Sequence, residues 1–343
     1  MHAIHVASYG DPEVLTPVEL PDPVPGPGQV VVGMAAADVI FLDTLLRGGW
    51  GRDLFPRTLP YVPGGGGAGA VLAVGAGVAP AWVGRRVAVR TGTGYAERVV
   101  ADEGEIMPVP DGLAVETAAA LVHDGVTALD LHRRGAPRAG EWVLVSAAGG
   151  AGTLLVQSAV DAGACVVAAA SSDAKRALAR QLGAEAVVDY TRAGWVERVR
   201  EVTGGGAALG YDGAGGALGS ATVDALADGG RFVTYGTADG FAAPDRETAA
   251  RRGLRLIMPL MDGPPDRETV RELLALALER AATGRLRPAI GATYPLERAA
   301  EAHRALAART VVGKSLLLMD GGAAQGTPQA RSSSPQGAAQ DTP

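Results

Sequence analysis

From Met1 to about Val122 the apolar positions fall in short runs, Gln29 to Met34, Val71 to Val74, Arg86 to Val89 and Ala96 to Val100, separated by Gly and Pro clusters. Extended chain between tight reversals produces that pattern, so this part reads as a β-rich, partly barrel-like domain. Around Glu141 the texture changes to apolar strands alternating with amphipathic helices, which predicts βαβ units on a parallel sheet. The spacing predicts strands at Trp142 to Val145, Cys165 to Ala170, Ala186 to Asp189, Ala207 to Asp212 and Arg231 to Tyr235. Helices are predicted at Thr153 to Asp161, Asp173 to Leu182, Trp195 to Val202 and Leu218 to Leu226, completing an α/β, Rossmann-type domain. After Pro265 a helix over Arg267 to Thr283 leads to Tyr294, Pro295 and a last strand, Ser315 to Met319, expected to return to the first domain. The expected division is 1–122 with 266–320 as a discontinuous substrate domain, and 123–265 as the cofactor domain. Residues 321–343 hold no Val, Ile, Leu or aromatic residue and only two charges, so a disordered tail is expected there.

Charge and composition narrow the function. A formal charge of -6 over 343 residues argues against nucleic acid as the main ligand, because backbone phosphates demand clustered Lys and Arg. Cys165 is the only cysteine, which rules out an internal disulfide and a cysteine-rich metal site and points to a reducing compartment. No leader pattern and no stretch with the length and apolarity of a membrane span is evident, so a cytoplasmic protein without a membrane partner is expected.

The first cofactor-domain strand runs into Ser146, Ala147, Ala148, Gly149, Gly150, Ala151, Gly152 and then Thr153, where a helix is expected to begin. A helix N-terminus offers unpaired N–H groups and partial positive charge, and missing β-carbons let a pyrophosphate lie directly on the backbone. Such a loop alone also fits a tight structural turn; the strand before it and the helix after it favour a dinucleotide. The next strand ends in Ala170, Ser171, Ser172 with no carboxylate at its tip to hold a ribose hydroxyl, and Lys175 follows one helical turn on. That favours a 2′-phosphate and hence NADPH. Asp173 is the rival: as a ribose ligand it would select NAD, whereas as a helix-start residue it selects nothing.

Several segments carry a family resemblance: GDPEVL at Gly10 to Leu15, LDTLLRGG at Leu42 to Gly49, YVPGGGGAG at Tyr61 to Gly69, the loop AAGGAG and GKSLLL near the end. Together, in order and spacing from about His2 to Met319, they resemble the zinc-free quinone oxidoreductases, the zeta-crystallin-like branch of the medium-chain dehydrogenase/reductase superfamily. The resemblance implies a GroES-like catalytic domain packed on a Rossmann domain, NADPH and substrate in the cleft between them, and a homodimer. By position it assigns Lys175, Tyr190 and Arg309 to the 2′-phosphate, with Ser171 and Ser172 beside them, Gly236 to a backbone turn crossed by the cofactor, and Thr127 to the neighbourhood of the nicotinamide.

The departures matter equally. Zinc-dependent relatives place a cysteine at the position of Ile40 and a His-Glu pair at those of Gly65 and Gly66, so no metal is expected. Many quinone reductases carry an asparagine at the position of Ile40 and a tyrosine at that of Leu45; this chain has aliphatic groups at both, which makes the pocket more apolar. Trp50 and Tyr61 either line that pocket or merely pack. The loop is also one residue shorter before Gly149 than the family pattern. Direct hydride transfer to a quinone or enone is the expected reaction, with Thr127 as a hydroxyl for the developing oxyanion and His123 as a candidate proton donor. Two other readings stay open: an enoyl reductase of an acyl-thioester or specialised-metabolite pathway, and a catalytically silent NADPH-binding sensor.

Overall fold

The computed structural model describes residues 1–53, 56–146 and 149–319, so the expected tail and Ala147 and Ala148 of the glycine loop lie outside the described residues. The chain opens with an antiparallel pair, β1 (His2–Val6) and β2 (Leu15–Glu19). It continues through β3 (Gln29–Val39), α1 (Phe41–Arg47), β4 (Gly66–Val74), β5 (Arg86–Arg90), β6 (Arg98–Asp102), β7 (Ile106–Pro108), α2 (Val115–Leu121) and α3 (Asp124–Gly135). The alternating part then runs β8 (Trp142–Ser146), α4 (Gly150–Asp161), β9 (Cys165–Ala169), α5 (Asp173–Gln181), β10 (Ala186–Val188) and α6 (Trp195–Val202). After it come β11 (Ala207–Asp212), α7 (Gly216–Asp224), β12 (Leu226–Thr234), α8 (Arg246–Arg251) and β13 (Arg255–Ile257). The last elements are α9 (Pro259–Asp262), α10 (Arg267–Ala282), β14 (Ile290–Pro295), α11 (Ala299–Ala307) and β15 (Lys314–Leu318).

β8 to β13 form one parallel sheet in the order β10-β9-β8-β11-β12-β13, the doubly wound order in which the chain reverses direction between β8 and β11. Ligands bind at that reversal because the loops on either side of it diverge and leave a crevice at the strand ends. The other large sheet runs β14-β15-β3-β4-β5-β7 with β6 also on β3. β3 is longer than the apolar run Gln29 to Met34 suggests, because Ala35, Ala36 and Ala37 continue it between β4 and β15. Small residues there allow close strand packing; at Gly67 and Gly69 of β4 an added β-carbon would run into the β3 backbone. β15 pairs antiparallel with β3, so the chain's last described strand does return to the first sheet.

Corrections at helix ends bear on the site. α4 starts at Gly150, not Thr153, so the glycines form its first turn. α7 is Gly216–Asp224, earlier than the apolar spacing indicates, and β12 begins at Leu226.

One buried polar cluster ties α1, the turn before β6 and α11 together. The hydroxyl of Tyr95 donates to Asp43 Oδ2 at 3.0 Å and also meets His303 Nε2 at 3.0 Å. Burial pushes the Asp43 carboxyl up to about 6, while burial and the nearby Arg47 pull His303 down to about 3. The consequences for stability oppose each other. Asp43, raised from 3.8, adds stability below that value that is lost as pH rises through about 6. His303, lowered from 6.5, adds stability above that value that is lost as pH falls towards about 3. His303→Gln is therefore expected to become more stable relative to wild type as pH drops from 7 to 4, and Asp43→Asn less stable, each by roughly 3 kcal/mol at 1.36 kcal/mol per pKa unit. Urea unfolding midpoints across that range test this; parallel slopes in the two variants would refute it.

Candidate functional site

The crevice at the reversal is a cleft of about 350 Å³ between the two large sheets. Gly149, Gly150, Ala151 and Gly152 line it at the head of α4, where the first-turn N–H groups have no partner within the helix. Thr153 is buried, with its hydroxyl donating to Gly150 O at 2.7 Å; it steadies the turn and does not line the cleft. Asp212 at the tip of β11 shapes the opposite lip. Its buried carboxylate accepts from Ala214 N at 3.0 Å, Gly215 N at 3.1 Å and Thr234 Oγ1 at 2.8 Å, and so fixes the turn whose Gly213 and Ala214 face the cleft.

The cleft is also lined by Ser171, Lys175, Tyr190 and Arg309, and by Gly236, which packs against the turn at Gly213 and Ala214. Lys175 Nζ donates to the carbonyl of Arg309 at 2.7 Å, and burial together with Arg309 lowers the Lys175 ammonium from its ordinary value. Two cations held together, with a carboxylate partner only on Arg309, suit a doubly charged anion. Arg309 also pairs with Asp239 at 2.6 Å and, unusually for a residue with a side chain, adopts φ of 56° just after α11. It is the left-handed residue that ends the helix, with Thr310 N donating to Ala305 O at 3.1 Å, a place more often taken by Gly or Asn. Ser172 caps α5, accepting from Lys175 N at 3.4 Å, and does not reach the cleft wall. Asp173 is fully exposed and bound to Arg176 at 2.6 Å, away from the cleft, so the rival ribose-ligand reading has no geometry behind it.

Another part of the wall is apolar: Ile40, Phe41, Leu42, Leu45 and Trp50. Trp50 stands here with its ring 6.5 Å from that of Phe241. Tyr61 belongs instead to a second cavity of about 430 Å³, together with His123, Asp43, Arg57, Arg90 and Arg267, which shares only the wall residues Ile40 and Leu42 with the cleft. Two expectations need correction. Thr127, one turn further along α3 with its N–H donating to the His123 carbonyl at 2.8 Å, lines neither cavity; of this first turn Asp124 lines the cleft and His123 the other cavity. His123 faces the second cavity, because its Nδ1 is drawn to Asp38 Oδ2 at 2.8 Å.

Sequence reasoning missed Asp38 and Lys314. Lys314 Nζ lies 3.4 Å from Asp38 Oδ2 and 3.2 Å from Asp124 Oδ2, with Asp38 fully buried and Lys314 4% exposed. A signal for both exists in the sequence: each is a lone charge in an apolar strand, which has to find an opposite charge. Asp124 and Lys314 line the cleft. The Asp124 carboxylate also occupies the space a β-carbon on Gly150 would need. Gly150→Ala is therefore expected to weaken binding of both NADPH and NADH at least ~10-fold, with little gain in helix propensity because Gly150 is the first residue of α4 and not an interior one. Cofactor titration beside thermal unfolding separates the two; unchanged binding would show that Asp124 yields.

Among the described residues no three His, Cys, Asp or Glu stand together so as to hold a metal ion. No helix among them is long and apolar enough to cross a membrane.

Comparison with known proteins agrees with this layout. The family described as alcohol dehydrogenase GroES-like domain matches residues 26–111, and that described as zinc-binding dehydrogenase matches residues 182–317. A quinone oxidoreductase of Pseudomonas aeruginosa is 35% identical over 327 residues, covering 92% of this chain and 98% of that protein. A 2-haloacrylate reductase of a Burkholderia species is 33% identical over 306 residues, covering 86% and 92%. A mycobacterial protein solved in complex with NADPH superposes with a TM-score of 0.85 at 36% identity, covering 93% of this chain and all of that one.

Proposed function

We propose that this chain, which belongs to the medium-chain dehydrogenase/reductase superfamily and stands among its quinone oxidoreductases, reduces the activated double bond of a quinone or enone. It is an NADPH-dependent oxidoreductase. Lys175 and Arg309 carry this reading: two convergent cations beside Ser171 and Tyr190 fit the 2′-phosphate, and Gly149 to Gly152 fit the pyrophosphate. With those ends held, the nicotinamide would lie towards Ile40 and Leu45 and would supply a hydride there. Ile40, Leu45 and Trp50 exclude water there and hold a flat, largely apolar acceptor against the reducing face. An activated C=C or quinone ring fits such largely apolar walls.

The Burkholderia relative is by name a reductase of a haloacrylate, which favours conjugated acids and ketones beside quinones as acceptors for this chain. We further place the enzyme in the cytoplasm as a homodimer; Phe241, Leu260 and Met261 are exposed apolar side chains suited to a subunit contact. The test is nicotinamide absorbance followed with NADPH or NADH against 9,10-phenanthrenequinone, 1,4-benzoquinone and simple enones, with light scattering for the assembly. Turnover with preference for NADPH is expected. Tight NADPH binding with no turnover of any acceptor would replace this reading with that of a cofactor-binding sensor.

A further inference from the structure

Four charged or ionisable groups span the wall between the two cavities. His123 opens onto the second cavity, Asp124 and Lys314 onto the cleft, and fully buried Asp38 lies between them. A single oxygen, Asp38 Oδ2, takes both contacts, His123 Nδ1 at 2.8 Å and Lys314 Nζ at 3.4 Å. Its other oxygen, Oδ1, is buried with no hydrogen-bond partner among the described residues. Unsatisfied buried carboxylate oxygens are costly, and an ion pair built for stability alone would use both. The far side of the imidazole, Cε1 and Nε2, lies where a side chain on Gly65 would stand, so glycine there is what lets the ring face the second cavity.

We propose that His123, Asp38 and Lys314 form a proton relay from water in the second cavity to the reducing end of the cleft, with Asp124 holding the Lys314 ammonium in place. This rests on the reductase reading above. Addition of hydride to the β-carbon of an enone breaks the C=C π bond and leaves its electron pair on the carbonyl oxygen as an enolate. Lys314 gives the enolate one proton and becomes a neutral amine. Asp38 Oδ2 passes Lys314 the Nδ1 proton of His123, and the imidazole gains a replacement at Nε2 from water. The ring, now carrying its proton on Nε2, turns so that Nδ1 faces the water of the second cavity; Nδ1 takes a proton from that water while Nε2 returns one to it, the turn back restores the Nδ1–H form beside Asp38, and one solvent proton has been consumed per enone reduced. Around His123 stand Asp38 on β3, Lys314 on β15 and Asp43 on α1, with Arg90, Glu105 and Arg267 across the second cavity. Lys314 is the group at the cleft wall; His123 and Asp38 act through it.

His123→Ala is the first test. Its expected result is unchanged NADPH affinity, a ~10- to 100-fold lower kcat for enones, a larger solvent deuterium isotope effect on kcat, and recovery of rate on adding imidazole, which the emptied cavity admits. His123→Gln, which keeps a hydrogen-bonding group towards Asp38, should show the same loss and isotope effect, and serves if the alanine variant does not fold. Independently of turnover, proton–nitrogen NMR of the cofactor-free chain should show a hydrogen-bonded Nδ1 proton on His123 that is lost in Asp38→Asn. Wild-type kcat for enones in the variants, or a loss with neither isotope effect nor imidazole recovery, would overturn the relay. A wild-type chain that turns over no acceptor at all would instead sink the reductase reading, while the NMR result would still stand or fall by itself.

Discussion

Replacing Lys175 and Arg309 together by alanine is expected to lower kcat/KM for NADPH by ~10²–10³-fold and to leave that for NADH within about 3-fold. A hydrogen bond to a charged group contributes ~1.5–3 kcal/mol, and two of them on one phosphate add less than fully because each already polarises it. The geometry predicts some coupling: Lys175 Nζ is tethered to the backbone carbonyl of Arg309 at 2.7 Å, so loss of the Lys175 side chain frees the segment that carries Arg309. Lys175→Ala alone also removes the cation that burial and Arg309 disfavour, so its effect on unfolding should be slight. A double variant that keeps its preference for NADPH would place the phosphate elsewhere in the cleft.

Lys314→Met is expected to cost ~3–5 kcal/mol of stability at neutral pH, the effect of stripping the cation from a buried ion cluster. Burial pushes Asp38 up, yet His123 and Lys314 outweigh it and hold its carboxyl below the usual range. Burial likewise opposes the Lys314 charge, and Asp124 and Asp38 together raise it above the ordinary lysine value. The signs fix the window. The Lys314 contribution is complete below 10.5 and lost only as pH rises through its still higher folded value. That of Asp38 is present above 3.8 and lost as pH falls through its lower folded value. The deficit of Lys314→Met should therefore be constant through neutral pH and shrink in acid, and Asp38→Asn added to it should recover part, since the amide carries no charge to neutralise. Urea unfolding midpoints measure all three; a neutral-pH deficit under ~1 kcal/mol would mean that water reaches the cluster.

The cofactor end of the site was legible because its chemistry is local. A pyrophosphate needs a strand, a glycine turn and a helix start in succession, and Gly149 to Gly152 are contiguous. Even there the helix begins three residues before Thr153, because periodicity registers apolar side chains and glycines have none. The reducing end was legible only in part. Ile40, Leu45 and Trp50 do line the cleft, but Tyr61 and His123 went to a neighbouring cavity and Thr127 to neither. Lys175 and Arg309, far apart in the chain, were joined beforehand only through family resemblance.

The sequence by itself determined the alternation of strands and helices from Trp142 to about Thr234, the glycine turn and the absence of a second cysteine, since each depends on neighbours within a few residues or on composition alone; the helices α1, α2 and α3 ahead of Trp142 left no such signal among the Gly and Pro clusters. Only the tertiary structure decided which distant charges meet. Asp38 on β3, His123 before α3 and Lys314 on β15 converge because β15 returns antiparallel to β3, pairing Ser315 with Val39 and Leu316 with Asp38. Lone charges in apolar strands signal that partners must exist, because a buried charge without one is too costly to keep. Which partners they are depends on the pairing of strands 276 residues apart, and nothing local in the chain encodes that register.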